Sequence, residues 1–151
     1  MNRGAACGSV LCAVGLLIAC NSDVPVPATT ELNPPGYRVT VTRVATHPFL
    51  ARFNLKLAVD TVTGCSAVSD LFPDMGGMGR RNVYLGDDGI LFVIGQFDVR
   101  RFDASACRIE LVEFRFLNTG MCFIGSFDVD SSGLWTFISA AARAERPFEK
   151  L

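Results

Sequence analysis

The chain has 151 residues, half of them hydrophobic and 19% charged, with a formal net charge of −1. That is room for one domain, with too little charge for a disordered chain and no cationic excess (14 basic against 15 acidic residues) to neutralise nucleic-acid phosphates. A single histidine, His47, excludes any site built on two imidazoles, which covers most catalytic zinc centres.

The first residues form an address. Arg3 sits beside the α-amino group, and no further charge occurs until Asp23. Within that stretch Val10 to Ala19 is strongly apolar, the pattern of a secretory signal and not of a spanning helix, because its early part is rich in Gly, Ser and Cys and a Pro-rich segment follows. At its end, Leu17-Ile18-Ala19-Cys20 resembles the lipobox of bacterial lipoproteins. The resemblance covers only the signal. It implies that residues 1–19 are removed, that the Cys20 thiol carries diacylglycerol, and that the new terminal amine is acylated in many bacteria. Only a thiol is nucleophilic enough for that thioether, and two or three chains hold a protein to a bilayer where one does not. Asn21-Ser22 after the cysteine, with no Asp, implies release to the outer membrane by the sorting rule of enterobacterial lipoproteins, the domain facing the periplasm or the cell surface.

Residues 20–36 follow as a tether. Pro25, Pro27, Pro34 and Pro35 forbid helix and interrupt sheet pairing, so an extended spacer is expected. The folded domain is then 37–151.

From Tyr37 the pattern has period two. Tyr37, Val39 and Val41 alternate with polar residues, as do Phe53, Leu55, Leu57 and Val59, which predicts an antiparallel hairpin with His47-Pro48 in its connection. Cys65 to Asn82 reads as loop; its glycine-rich centre and Arg80-Arg81 invite a phosphate-loop reading, but the Walker spacing and Lys-Ser/Thr end are missing. Asn82–Leu85 is a short strand before the Asp87-Asp88-Gly89 turn, and Ile90–Val99 is an apolar strand. Residues 100–106 connect it to a strand over Cys107–Leu117, whose apolar phase slips and so predicts a bulge near Leu111 or Val112. A turn at Asn118-Thr119-Gly120 leads to Met121–Val129, and Asp130-Ser131-Ser132-Gly133 turns the chain into a last strand from Leu134. There Trp135 and Phe137 share one face, and Leu134, Thr136 and Ile138 the other, as expected of a central strand or of one packed on a partner. The alanine-rich end after Ala140 extends that strand or forms a short helix before Pro147.

Phe92–Val99 (FVIGQFDV) recurs as Cys122–Val129 (CFIGSFDV). Two equivalent strands of one sheet explain this, each glycine letting the strand bend or an aromatic ring approach. About seven strands then fit an all-β fold, an antiparallel β-sandwich or small barrel rich in meanders.

Three cysteines remain in the folded part, and export permits a disulfide. If residues 118–120 join antiparallel strands, Cys107 and Cys122 sit roughly 33 Å apart, far beyond the ~7 Å that a bridge needs. If the Phe53 and Asn82 strands are antiparallel, Cys65 emerges beside Cys107. The expected pair is therefore Cys65–Cys107, with Cys122 an inert buried thiol. No catalytic residue is assigned: His47 with a cysteine has no orienting group, and Glu110 and Glu113 have no substrate placed near them. Asp128, Asp130 and Ser132 resemble the first half of a calcium loop, yet Ser139 stands where a bidentate Glu is required, so turn chemistry is the expected role and no metal or cofactor is assigned.

Together these readings describe a lipid-anchored β-domain of the bacterial cell envelope. It is expected to be a non-enzymatic binding or structural module, its partners the membrane through the N-terminal lipid and an envelope protein or apolar ligand, with no nucleic acid. The alternative is a small barrel carrying an apolar ligand between Phe-rich strands, although the Gly-x-Trp of a lipocalin is missing.

Overall fold

The computed structural model describes residues 24–113 and 120–148. The lipobox and Cys20 lie outside the described residues, as do most of the 118–120 turn and the second half of the expected 107–117 strand. Among the described residues, ten strands form two antiparallel sheets, a β-sandwich. The first sheet has the order β1-β2-β3-β4: β1 (Val26–Leu32), β2 (Tyr37–Ala45), β3 (Phe53–Thr61) and β4 (Ser66–Asp70). The second has the order β10-β9-β5-β6-β7-β8, from β5 (Arg81–Gly86), β6 (Leu91–Ile94), β7 (Val99–Asp103), β8 (Arg108–Val112), β9 (Met121–Val129) and β10 (Trp135–Ser139). The sheet edges meet, β1 against β10 and β4 against β8.

The β2–β3 hairpin pairs over its full length, Tyr37 opposite Thr61 and Ala45 opposite Phe53. Its alternation delivers Val39, Val41, Leu57 and Val59 to the inter-sheet space with no exposed surface. From the other sheet Val83, Leu91, Val99 and Phe127 are equally buried, and Val93 and Phe102 nearly so. Burying each such side chain contributes about 1.5–3 kcal/mol relative to leaving it in water. Trp135 joins the sheets, its Nε1–H donating to the Val41 carbonyl at 2.9 Å.

Several expectations are corrected. The described residues hold ten strands where about seven were expected. Val26–Leu32, expected in the tether, is the edge strand β1, paired with β2 from Val26–Arg43 to Leu32–Tyr37. An edge position tolerates Pro27, whose missing N–H is not needed on the unpaired side, and Ala28 and Leu32 turn inward. Within the expected 65–82 loop, Ser66–Asp70 pairs with β3. The expected strand 90–99 is β6 followed by a tight turn that Gly95 N–H closes onto the Asp98 carbonyl at 2.8 Å, and β7 occupies the first part of the expected 100–106 connection. The two copies of the repeat therefore differ: one contains a turn, while the other runs unbroken along β9. The bulge is not at Leu111 or Val112, where β7–β8 pairing is regular. It is in β9 at Ile124, the residue skipped where β5 passes from Val83–Gly125 to Tyr84–Phe123. Gly125 there has φ +155°, and a Cβ on it would lie 2.6 Å from the Phe137 ring and 2.4 Å from the Ile138 carbonyl oxygen. Its bareness lets Phe137 close on Phe127, their centroids 5.0 Å apart. β10 is an edge strand rather than a central one, and Ser139–Arg143 makes only a single turn before an irregular tail.

The registers define two ends. At one, here called proximal, β1, β3, β5, β7 and β10 begin and β2, β4, β6, β8 and β9 finish. At the distal end the Cys65–Cys107 disulfide joins the β3–β4 turn to the β7–β8 turn, its Cα atoms 5.7 Å apart. The expected pair is thus formed, but by a different route: β3 and β5 belong to different sheets, and β9 pairs with β5 and β10, not with β8.

Candidate functional site

The polar side chains that stand out lie at the proximal end, and the innermost of them is structural. Arg81 opens β5 on the same side as Val83 and is 1% exposed. One guanidinium nitrogen donates to the carbonyls of Met78 at 2.8 Å and Arg80 at 2.9 Å. The other donates to the Phe72 carbonyl and faces Asp98 Oδ1 at 3.7 Å. Asp98 Oδ2 accepts from the Phe72 N–H at 2.8 Å and from Arg100 Nε at 3.3 Å. Gly95 makes room for the pair, since a Cβ there would fall 2.8 Å from the guanidinium. Burial pushes the Arg81 guanidinium below its ordinary value, and Asp98 and then Asp74 oppose that. The result is a strut tying residues 71–80 to the β6–β7 turn. The glycine-rich loop is equally self-engaged, because Asp74 Oδ1 accepts from the N–H groups of Gly76 (2.9 Å) and Met78 (2.8 Å).

Beside this strut opens a cleft of about 450 Å³. Arg80, Arg143 and Arg146 line it, with Asp128, Met78 and Phe148. The tail after β10 builds one wall and is pinned across β5 and β9 by a polar network. Asn82 Nδ2 donates to the Arg146 carbonyl at 3.0 Å, Ser126 Oγ donates to Asn82 Oδ1 at 3.0 Å, and the Tyr84 hydroxyl donates to Glu145 at 2.8 Å. Burial, with that bond to Glu145, pushes Tyr84 up to about 12. Arg143 and Arg146 both bind Asp128 Oδ2, Arg143 at 2.7 Å. Arg80 stacks on Phe148, 4.3 Å from the ring centroid, and its Nε is buried without a hydrogen-bond partner. Its guanidinium is pushed below the ordinary range by burial first, then by the like charges of Arg146 and Arg143, with Asp128 opposing between them. Three guanidinium groups thus face two carboxylates, Asp128 and Asp130, in a cleft open to solvent, which leaves an excess of one positive charge. Such a site attracts an anion, since planar guanidinium forks match the oxygens of phosphate and carboxylate.

The residues singled out from the sequence fall elsewhere or take other roles. Asp128 is engaged by the two arginines, which repel a cation. Asp130 Oδ1 accepts from Ser132 N–H, Ser132 Oγ–H and Leu134 N–H at 2.7–3.0 Å, so it organises the β9–β10 turn. Those bonds, the Ser132 hydroxyl first, hold its carboxyl below the usual range. Among the described residues no group of three His, Cys, Asp or Glu side chains is arranged to hold a metal ion. His47 Nδ1 accepts from the N–H groups of Phe49 and Leu50, both at 3.1 Å, and so shapes its own loop. Glu110 pairs with Arg101 and Arg108 on neighbouring positions of β7 and β8. Cys122, expected to be buried, is exposed, because it precedes the bulge on β9 and points away from the core.

The arginine cleft was not anticipated. Its parts come from residues 77–80, 96, 128–131 and 143–148. The glycine-rich stretch before Arg80-Arg81, set aside as a phosphate loop for want of the Walker spacing, was the part of it that the sequence exposed. Comparison with protein-family models, curated proteins and solved structures returns no match for this chain.

Proposed function

We propose that this protein is a non-enzymatic binding module of the bacterial cell envelope, moored by lipid on Cys20 and presenting its proximal cleft as the binding surface. The observation that carries the choice of module over apolar carrier is the inter-sheet space, which Val39, Val41, Leu57, Val59, Val83 and Phe127 fill with no residual exposure. A carrier of apolar molecules needs that space to be hollow, usually by several hundred Å³. The cleft is open and charged, which favours a polar, anionic partner. Of its two carboxylates, Asp128 is neutralised by two arginines and Asp130 is taken up by its own turn, which suits recognition better than acid–base chemistry. The lipobox and the disulfide agree on an exported protein, since disulfides persist in oxidising compartments. The outer-membrane destination follows the Asn21-Ser22 reading.

Mass spectrometry of the processed protein from a membrane fraction tests the anchor. The expected mature chain begins at a Cys20 carrying diacylglycerol, and an unmodified Cys20 or a chain still beginning at Met1 overturns it. Titration with a fluorescent fatty acid tests the module. No uptake is expected, and stoichiometric uptake revives the carrier.

A further inference from the structure

The proximal end is where β1 begins, and it is also where the exposed apolar side chains collect. Phe49 (90% exposed) and Leu50 cap the β2–β3 loop. Phe72 and Phe97 stack on each other at 5.0 Å while both remain exposed, and Met75 and Leu134 (65% exposed) project from adjacent loops. Among the described residues, the large apolar side chains exposed away from this end are Val62 at the distal turns and Val68 on the outward face of β4, while Leu111 lies on the edge strand β8 one residue from its proximal finish. Exposed apolar groups scattered singly are unremarkable, but a collection at one end of a sandwich is a docking surface.

The loops that present these groups are ordered by their own bonds. His47 Nδ1 holds the Phe49 and Leu50 N–H groups, and Thr46 N–H donates to the Arg52 carbonyl at 2.9 Å. The arginine cleft adjoins this apolar tip, since Met78 and Gln96, the neighbour of Phe97, line it. An apolar tip fringed by guanidinium groups matches a bilayer surface, with acyl chains below and phosphates at headgroup level. The position of the chain's start agrees. Cys20 lies six residues before Val26, a reach of at most about 20 Å when fully extended, so a lipid on Cys20 keeps the proximal end close to the membrane.

We infer that the proximal end docks on the bilayer itself, Phe49 and Leu50 entering the interface while Arg80, Arg143 and Arg146 receive anionic lipid phosphates. The choice of a bilayer as occupant rests on the anchor reading, but the docking is a property of the folded domain and is tested without the anchor. A chain beginning at Asn21 keeps all ten strands, the core and the disulfide. It is mixed with vesicles of phosphatidylcholine alone or with about 30% phosphatidylglycerol, a composition that gives an anionic surface, and sedimented. The expected result is association with the anionic vesicles, weaker with the zwitterionic ones and weakened by salt. Phe49→Asp with Leu50→Asp lowers the partition coefficient at least about tenfold, with the circular dichroism and disulfide unchanged. Arg80→Gln with Arg146→Gln reduces the preference for anionic vesicles at least about fivefold. Val68→Asp leaves both quantities as they were. Absence of vesicle association, association insensitive to the Phe49 and Leu50 substitutions, or binding of inorganic phosphate with no vesicle association each overturns the inference. Because this chain lacks the lipid, its failure is separate from that of the anchor, which mass spectrometry of Cys20 decides.

Discussion

The disulfide is the feature whose removal has the most calculable consequence. Cys65 and Cys107 are separated by 42 residues, and their bond joins the β3–β4 turn of one sheet to the β7–β8 turn of the other. Closing a loop of that length removes about 13 cal/mol/K from the entropy of the unfolded chain, which corresponds to about 4 kcal/mol at 25 °C. Native domains of this size are stable by about 5–15 kcal/mol, so the bond supplies a large share of the total. The perturbation is the double substitution Cys65→Ala and Cys107→Ala, which leaves no thiol at the site to pair with the exposed Cys122. Urea unfolding followed by the fluorescence of Trp135 measures it. The expected outcome is a midpoint lowered by about 4 kcal/mol divided by the slope, with the slope itself raised because the unfolded chain is more open. The same loss is expected when the wild-type protein is reduced. A loss below about 1 kcal/mol refutes the reasoning, since it means that residual structure already restrains the reduced unfolded chain or that the bond is strained in the native one.

Asp98→Ala is expected to cost about 3–5 kcal/mol in the same assay, because it leaves the Arg81 charge buried and the Phe72 N–H unsatisfied. Combining it with Arg81→Met costs at least about 1 kcal/mol less than the sum of the singles, and additivity argues against the strut. Gly125→Ala is expected to destabilise by about 1–3 kcal/mol, since its Cβ meets the Ile138 carbonyl, which cannot swing aside as a side chain would; an unchanged melting temperature contradicts the close approach of β10. Both tyrosines are raised above their usual value of 10.0, mainly by burial, Tyr84 up to about 12. Their contribution to stability is therefore complete below about pH 10 and is lost as pH rises toward 12. Phenolate absorbance should lag behind that of the urea-unfolded chain in an alkaline titration, and Tyr84→Phe should remove the later part of the lag.

Alternation of apolar and polar residues was enough to identify the strands that face the core from both sides of a hairpin. Tyr37–Ala45 and Phe53–Thr61 could be read because a half-buried strand must repeat every two residues, whatever it packs against. The all-β class followed from the same local information, whereas Cys65–Cys107 was inferred from strand pairings that are not formed, since β3 and β5 lie in different sheets and β9 pairs with β5 and β10. Local pattern failed where neighbours decide. Val26–Leu32 carries two prolines just before and within it and few apolar residues, and it is a strand only because β2 offers a partner and the edge leaves Pro27 unchallenged. Gly95 and Gly125 occupy the same place in a repeated segment, yet one turns the chain around the Arg81–Asp98 pair and the other runs on beside Phe137. The arginine cleft and the apolar tip were beyond the reach of the sequence for the same reason. Their residues are distant along the chain, and only the strand registers bring β1, β3, β5, β7 and β10 to begin at one end, where charge and exposed rings meet.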